Sequence, residues 1–319
     1  MTRLRYLALF LLFLPVLAQA QQEVQYTQFM YNKQPLNPGY AGNQEAPTLQ
    51  AVVRSQWLGI EGAPNTQVLT FSLPLANQRI GLGMNIARHT ISIYENLTLD
   101  MAYAYRFPLG HGYLGLGVQG SLRSLSADFT DSRLLAIQQI DLDPSIPRVR
   151  QQKYIFNAGA GFYYEGEHFY LGVSVPRMLE NNIDFATPGD VEISKEIPHA
   201  FLMGGASFVL NDQMSLQPQI LLKYVNNAPL DADINASLNI LNKYLLGLTY
   251  RLGGSSVTGF GESLDIIIAA QLSPKLLFSV SYDLTLSDLK DFNSGSVEAM
   301  LRYSFGQGEA EEYVNPRFF

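Results

Sequence analysis

Leu97-Thr98-Leu99-Asp100-Met101-Ala102-Tyr103-Ala104-Tyr105-Arg106-Phe107 is the stretch whose reading decides the fold. Odd positions are apolar or aromatic; even positions are small, polar or charged. After a turn over 108–112, Leu114, Leu116, Val118 and Leu122 alternate with Gly115, Gly117, Gln119 and Ser121. Alternation with period two over about ten residues predicts a β-strand. It is also the length that a tilted strand needs to cross a bilayer.

The rest of the chain repeats this unit. Alternating stretches recur from 48 to 305, and they predict about 14 antiparallel strands. In one of them Leu230, Ala232, Ile234, Ala236, Leu238 and Ile240 interleave with Asp231, Asp233, Asn235, Ser237 and Asn239. Tight turns are expected near Ala76, Leu109, Glu165, Asn211, Asn242 and Ser273. Between them fall longer connections at 57–65, 89–96, 123–153, 176–199, 253–263 and 285–295, with one short exception at 226–229. Loops sorted by parity are what a transmembrane barrel shows, with short periplasmic turns and longer extracellular loops. A sheet in lipid leaves no open edge, so the strands are expected to close. The apolar set then faces acyl chains. Asp100, Arg106, Gln119, Asp231, Asp233, Asn235, Asp265 and Arg302 face the lumen. Inward glycines at 81, 83, 115, 117, 159 and 161 leave room for an N-terminal arm, a folded loop or a partner segment.

Composition agrees. Hydrophobic residues make up 47% and charged residues only 15%, below the usual quarter for soluble domains. The 18 Tyr and 18 Phe suit aromatic girdles at two membrane interfaces. The chain has no cysteine, which removes disulfides, thiolate metal sites and cysteine nucleophiles. A net charge of −7 argues against nucleic acid, which wants a basic stripe.

Residues 1–20 read as a signal peptide. Arg3 and Arg5 precede an apolar run from Leu7 to Leu17, and Ala18-Gln19-Ala20 is a cleavage signal. Residues 21–47 read as a periplasmic or luminal arm, 48–305 as the outer-membrane barrel, and 306–319 as a periplasmic tail.

Motifs that mimic chemistry dissolve on inspection. Gly115-Leu116-Gly117-Val118-Gln119-Gly120 matches G-x-G-x-x-G, but a dinucleotide site needs a helix to start there, and the strand alternation runs on. Asp231-Ala232-Asp233-Ile234-Asn235 resembles the start of a calcium loop but has Ala236 and Asn242 where glycine and glutamate belong. The histidines 89, 111, 168 and 199 show no metal spacing. Asp128, Asp131, Asp141 and Asp143 are read as a solvated loop face before a calcium site. No nucleophile, base and orienter fall into a usable set, so neither a catalytic nor a metal site is expected, and no cofactor.

One segment carries a family resemblance. Gln28-Phe29-Met30-Tyr31-Asn32 with Leu36-Asn37-Pro38-Gly39-Tyr40-Ala41-Gly42, then Arg54-Ser55-Gln56-Trp57, Ala63-Pro64-Asn65-Thr66, Ser72 and Gly81-Leu82-Gly83, resembles the PorP/SprF family. Gly39 stands where alanine is commoner. The resemblance implies a barrel of the type IX secretion system in the bacterial cell outer membrane of Bacteroidetes. It implies no enzymatic activity. Implied partners are the C-terminal domain of a secreted surface protein or gliding adhesin, other secretion-system proteins in the outer membrane and periplasm, and outer-membrane lipid. It marks Asn37, Pro38, Gly42, Arg54, Gln56 and Trp57 as family-motif positions and as candidate partner-binding residues. Each also has a structural reading: turn for Asn37 and Pro38, positive φ for Gly42, girdle ring for Trp57. Arg54, opposite in facing to lipid-side Val53, is expected to meet a luminal carboxylate. The alternative function is a channel or transporter for a small hydrophobic or sugar ligand.

Overall fold

The computed structural model describes residues 23–131, 149–185, 194–226, 228–253 and 261–306. The expected signal peptide (1–20), the tail beyond 306 and the acidic positions 141 and 143 lie outside the described residues.

Fourteen antiparallel strands form one closed barrel. In chain order they are β1 (Thr48–Ser55), β2 (Asn65–Leu75), β3 (Ile80–Ile91), β4 (Tyr94–Leu109), β5 (Gly112–Asp128), β6 (Arg150–Glu165) and β7 (Phe169–Val175). Then come β8 (His199–Ala206, resuming at Phe208–Asn211), β9 (Met214–Val225), β10 (Asp231–Ile240), β11 (Tyr244–Leu252), β12 (Ser263–Ser273), β13 (Leu276–Thr285) and β14 (Ser296–Ser304). Each strand pairs with its sequence neighbour, and β1 pairs with β14 to close the cylinder. Among the described residues no helix is long and apolar enough to cross a membrane.

Two expectations are corrected. The connection expected over 89–96 shrinks to Ser92 and Ile93, because β3 and β4 stay paired out to Ile91↔Tyr94. Ser92 takes φ +52 to make the turn. Outer loops are therefore not all long: β4, β5 and β6 rise as a continuous wall beyond the apolar band. The expected single strand 200–210 is divided at Ser207: its N–H makes the last bond to β7, at the His168 carbonyl (2.8 Å), and Phe208–Asn211 then pairs with β9 alone.

The faces follow the alternation. Met101, Leu116, Val118, Ile234, Leu248 and Ile268 are exposed on the outside, while Arg54, Asp100, Gln119, Asp233, Asn235 and Asp265 are buried inside. The core sits in the bore, between the wall and residues 23–47. Phe29, Met30, Tyr31, Leu36 and Tyr40 pack against Val52, Tyr163, Tyr170, Met203, Ile267 and Met300. The luminal face is thus a packed interior and not a wet channel lining. Asn235 is only 1% exposed, and its amide donates to Thr249 Oγ1 at 2.9 Å. A lysine at lipid-facing Ile234 should cost about 2–4 kcal/mol near the bilayer midplane. The change at Asn235 should cost as much, for a different reason: it forces a longer side chain into a packed interior and breaks the bond to Thr249. Urea titration in lipid vesicles measures both; tolerance at Asn235 would contradict a filled bore.

Candidate functional site

The arm runs down the bore. Glu23 sits near the loop end of the barrel and Pro47 near the short-turn end, where its carbonyl accepts from Phe305 N (2.8 Å). Three sets of interactions hold it.

The lowest is steric. Asn37 caps the 3-10 turn Pro38–Tyr40: its Oδ1 accepts from Gly39 N at 2.8 Å. Its Nδ2 donates to the Phe162 carbonyl of the wall (2.9 Å), and Ser174 Oγ donates to Leu36 O (2.6 Å). Backbone meets backbone here, which is possible only without side chains. A Cβ on Gly117 would strike Pro38; on Gly115, Gly39; on Gly161, Asn37; on Gly81, Ala41. The first two glycines of the G-x-G-x-x-G stretch, with Gly81 and Gly161, are therefore the cradle of the arm. Gly42, at φ +64, packs on Gly81 and donates its N–H to Ser72 Oγ (2.9 Å).

Above lies an aromatic cage. Lys33 Nζ stands 4.0 Å from the Tyr170 ring centroid and 5.5 and 5.8 Å from those of Tyr40 and Tyr163. Cation–π attraction of this kind is stronger away from water.

The third set is ionic. Arg54 is 1% exposed. Its Nη1 lies 2.7 Å from Asp283 Oδ2 and 3.5 Å from Glu298 Oε2. The arm enters the same cluster: Thr27 N and Gln28 N donate to the two Glu298 oxygens (3.0 and 2.9 Å), and Thr27 Oγ1 bridges Arg54 and Asp283. Arg251 extends it, reaching Asp233 (2.9 Å), Asp265 (3.7 Å) and the Tyr26 carbonyl (3.4 Å). At the top Arg177 holds Glu23 (2.9 Å) and Asp100 (3.4 Å). Arg123 holds Glu196 and reaches Glu23 at 3.7 Å.

Burial pushes the Glu23 carboxyl up, but Arg177 and Arg123 outweigh it and bring it to about 2, against 4.5 ordinarily. A lowered folded value means that the stabilisation is present above 4.5 and lost as pH falls from there towards 2. Hydrogen exchange of residues 23–28 should lose protection across that window. The Glu23→Gln variant should show no such step from this site.

Beside the upper arm, from Glu23 to Tyr26 and down to Pro35 and Leu36, a cavity of about 770 Å3 opens toward the loops. Glu23 and Tyr26 lie at its floor; Gln56, Trp57, His89, Arg177, Glu196 and His199 contribute to its walls. Of the six motif residues, Asn37, Pro38, Gly42 and Arg54 thus seat the arm, while Gln56 and Trp57 border the vestibule. Trp57 turns the chain with φ +48 and donates its N–H to Ser296 Oγ (3.1 Å). Asp283, Glu298, Arg251 and Arg177 were not singled out in the sequence. For the first three the only signal there is luminal parity on a strand, shared with many other polar residues; Arg177 lies in the connection after β7 and has none.

The model of the family described as "Type IX secretion system membrane protein PorP/SprF" matches residues 18–303. The chain belongs to this family. It is accordingly an outer-membrane protein of the type IX secretion system. No curated protein matches it. Among solved structures, the PorP/SprF chain is similar to a deletion mutant of the TodX monoaromatic hydrocarbon channel, with a TM-score of 0.51, 10% identity, and 88% of this chain and 94% of that chain covered. The Pseudomonas putida toluene transporter TodX gives 0.49 at 8% identity (85% and 93% covered). Omp33 of Acinetobacter baumannii gives 0.47 at 8% identity (83% and 100% covered). Such likeness bears on the barrel fold alone.

Proposed function

We propose that this PorP/SprF barrel is a non-enzymatic receptor. It holds the C-terminal domain of a secreted surface protein at its outer mouth and joins periplasmic components of the machinery through its short-turn end. One observation carries the reading. The bore is filled by the chain's own arm, while a cavity of about 770 Å3 stays open on the loop side. A plugged barrel with an outward recess suits holding better than conducting. Gln56 and Trp57 are the motif residues offered to the partner; aromatic rings at a recess are favoured anchors.

The test is capture. The detergent-solubilised protein should retain a secreted surface protein from its own cells, and deletion of that protein's C-terminal domain should abolish retention. Trp57→Ala should weaken it by tenfold or more. Recovery of lipid alone would overturn the proposal. The competing reading, a channel for a small hydrophobic or sugar ligand, requires the arm to leave the bore. Saturable uptake by liposomes bearing the intact protein would favour it.

A further inference from the structure

The wall is incomplete on one side. β6 pairs with β5 up to Asp128↔Arg150, but with β7 only from Glu165↔Tyr170 to Ala160↔Val175. β8 reaches no further than His199↔Val225 on its other flank. The stretch of β6 above Ala160 still belongs to the apolar band: Phe156, opposite lipid-facing Leu122, is 70% exposed. Among the described residues no barrel strand covers its far edge. A loop patches it instead, largely through side chains. Met178 N donates to Ala158 O (2.8 Å), Asn181 Nδ2 to Phe156 O (3.1 Å), and Asn157 exchanges two bonds with the Leu179 backbone (2.8 and 2.9 Å). Met178 and Leu179 are 46% and 51% exposed on the outside. From the same segment Pro176, Arg177 and Ile183 turn inward and line the vestibule. One layer of loop thus separates lipid from cavity.

We propose that this patch is a lateral passage between β6 and β8, through which an uncharged, hydroxyl-bearing amphiphile of the outer leaflet reaches the vestibule. The lining selects the class. Ile197, Phe201, Leu125 and Phe129 supply apolar wall, and the cavity is of the size that small ligands fill. His199 Nδ1 lies 2.9 Å from the Ile197 carbonyl and so carries the proton. Its buried Nε2 has no hydrogen-bond partner among the described residues, and a hydroxyl, which can donate or accept, suits it. Carboxylates at Glu23, Asp100, Glu196 and Glu262 outnumber the guanidiniums of Arg123 and Arg177 around the cavity, which disfavours anions. The inference is independent of the receptor reading: it concerns lipid-side access, which capture of a protein does not require.

Trp57, the single tryptophan of the chain, borders the cavity and reports occupancy. In lipid nanodiscs, 1-decanol should change Trp57 emission saturably, and decanoate should require at least tenfold more. His199→Leu should weaken the decanol response several-fold. The chain lacks cysteine, so Ala158→Cys with Met178→Cys gives one defined pair that pins the patch to β6. Oxidised, this variant should respond to decanol at least tenfold more slowly; reduced, it should respond like the unaltered chain. An equal rate in both redox states overturns the lateral route. A non-saturable response, or one equal for decanol and decanoate, overturns the site.

Discussion

Gly117→Val expels the arm from the bore. The wall backbone at Gly117 touches Pro38 so closely that even a methyl group has no place, and the neighbours are backbone, which cannot rotate away. Overpacking a well-fitted interior costs about 1–3 kcal/mol where side chains can shift; here the arm must move as a unit. The expected result in planar bilayers is a conducting state, where the unaltered protein is closed. Residues 34–42 should gain protease sensitivity in parallel. Gly120→Val is the control, because nothing lies within reach of a Cβ there; it should stay closed. A closed Gly117→Val barrel with a protected arm would contradict the steric cradle.

Arg54→Met should be the most destabilising single change in the ionic set. It leaves Asp283 and Glu298 facing each other in the interior with their shared cation gone. Breaking one side of a buried ion pair costs about 3–5 kcal/mol. Because Thr27 and Gln28 hang on the same carboxylates, the upper arm should loosen first, seen as faster hydrogen exchange at 25–30 than at 36–42. Adding Glu298→Gln to Arg54→Met should recover part of the loss by removing one uncompensated charge. No recovery would mean that Arg54 acts through packing alone.

The strands were legible because a barrel in lipid writes its two faces into the sequence residue by residue, as Leu97 to Phe107 shows. Strand ends were less so. At Ser92 the pairing persists beyond the membrane, where neither face need be apolar and the alternation fades. The cradle was half legible: inward glycines at 81, 115, 117 and 161 announced a close neighbour without naming it, since absence of a side chain fits any backbone. The ionic cluster was hardly legible. Arg54 marked one pole, but its carboxylates come from strands more than two hundred residues away, and parity alone does not say which of many luminal acids lie at one height.

The seam between first and last strands sets Arg54 directly opposite Glu298, and these two residues also grip Thr27. Closure of the cylinder and latching of its contents are therefore one step. Once the seam has formed, Phe29, Tyr31 and Tyr40 are enclosed within it. Wrapping is the expected order of assembly: the sheet curls about its own leading segment, and a chain that zips shut without it leaves Glu298 at the join without the Thr27 and Gln28 donors. The join thus serves as a checkpoint, making an empty cylinder the less stable product of folding.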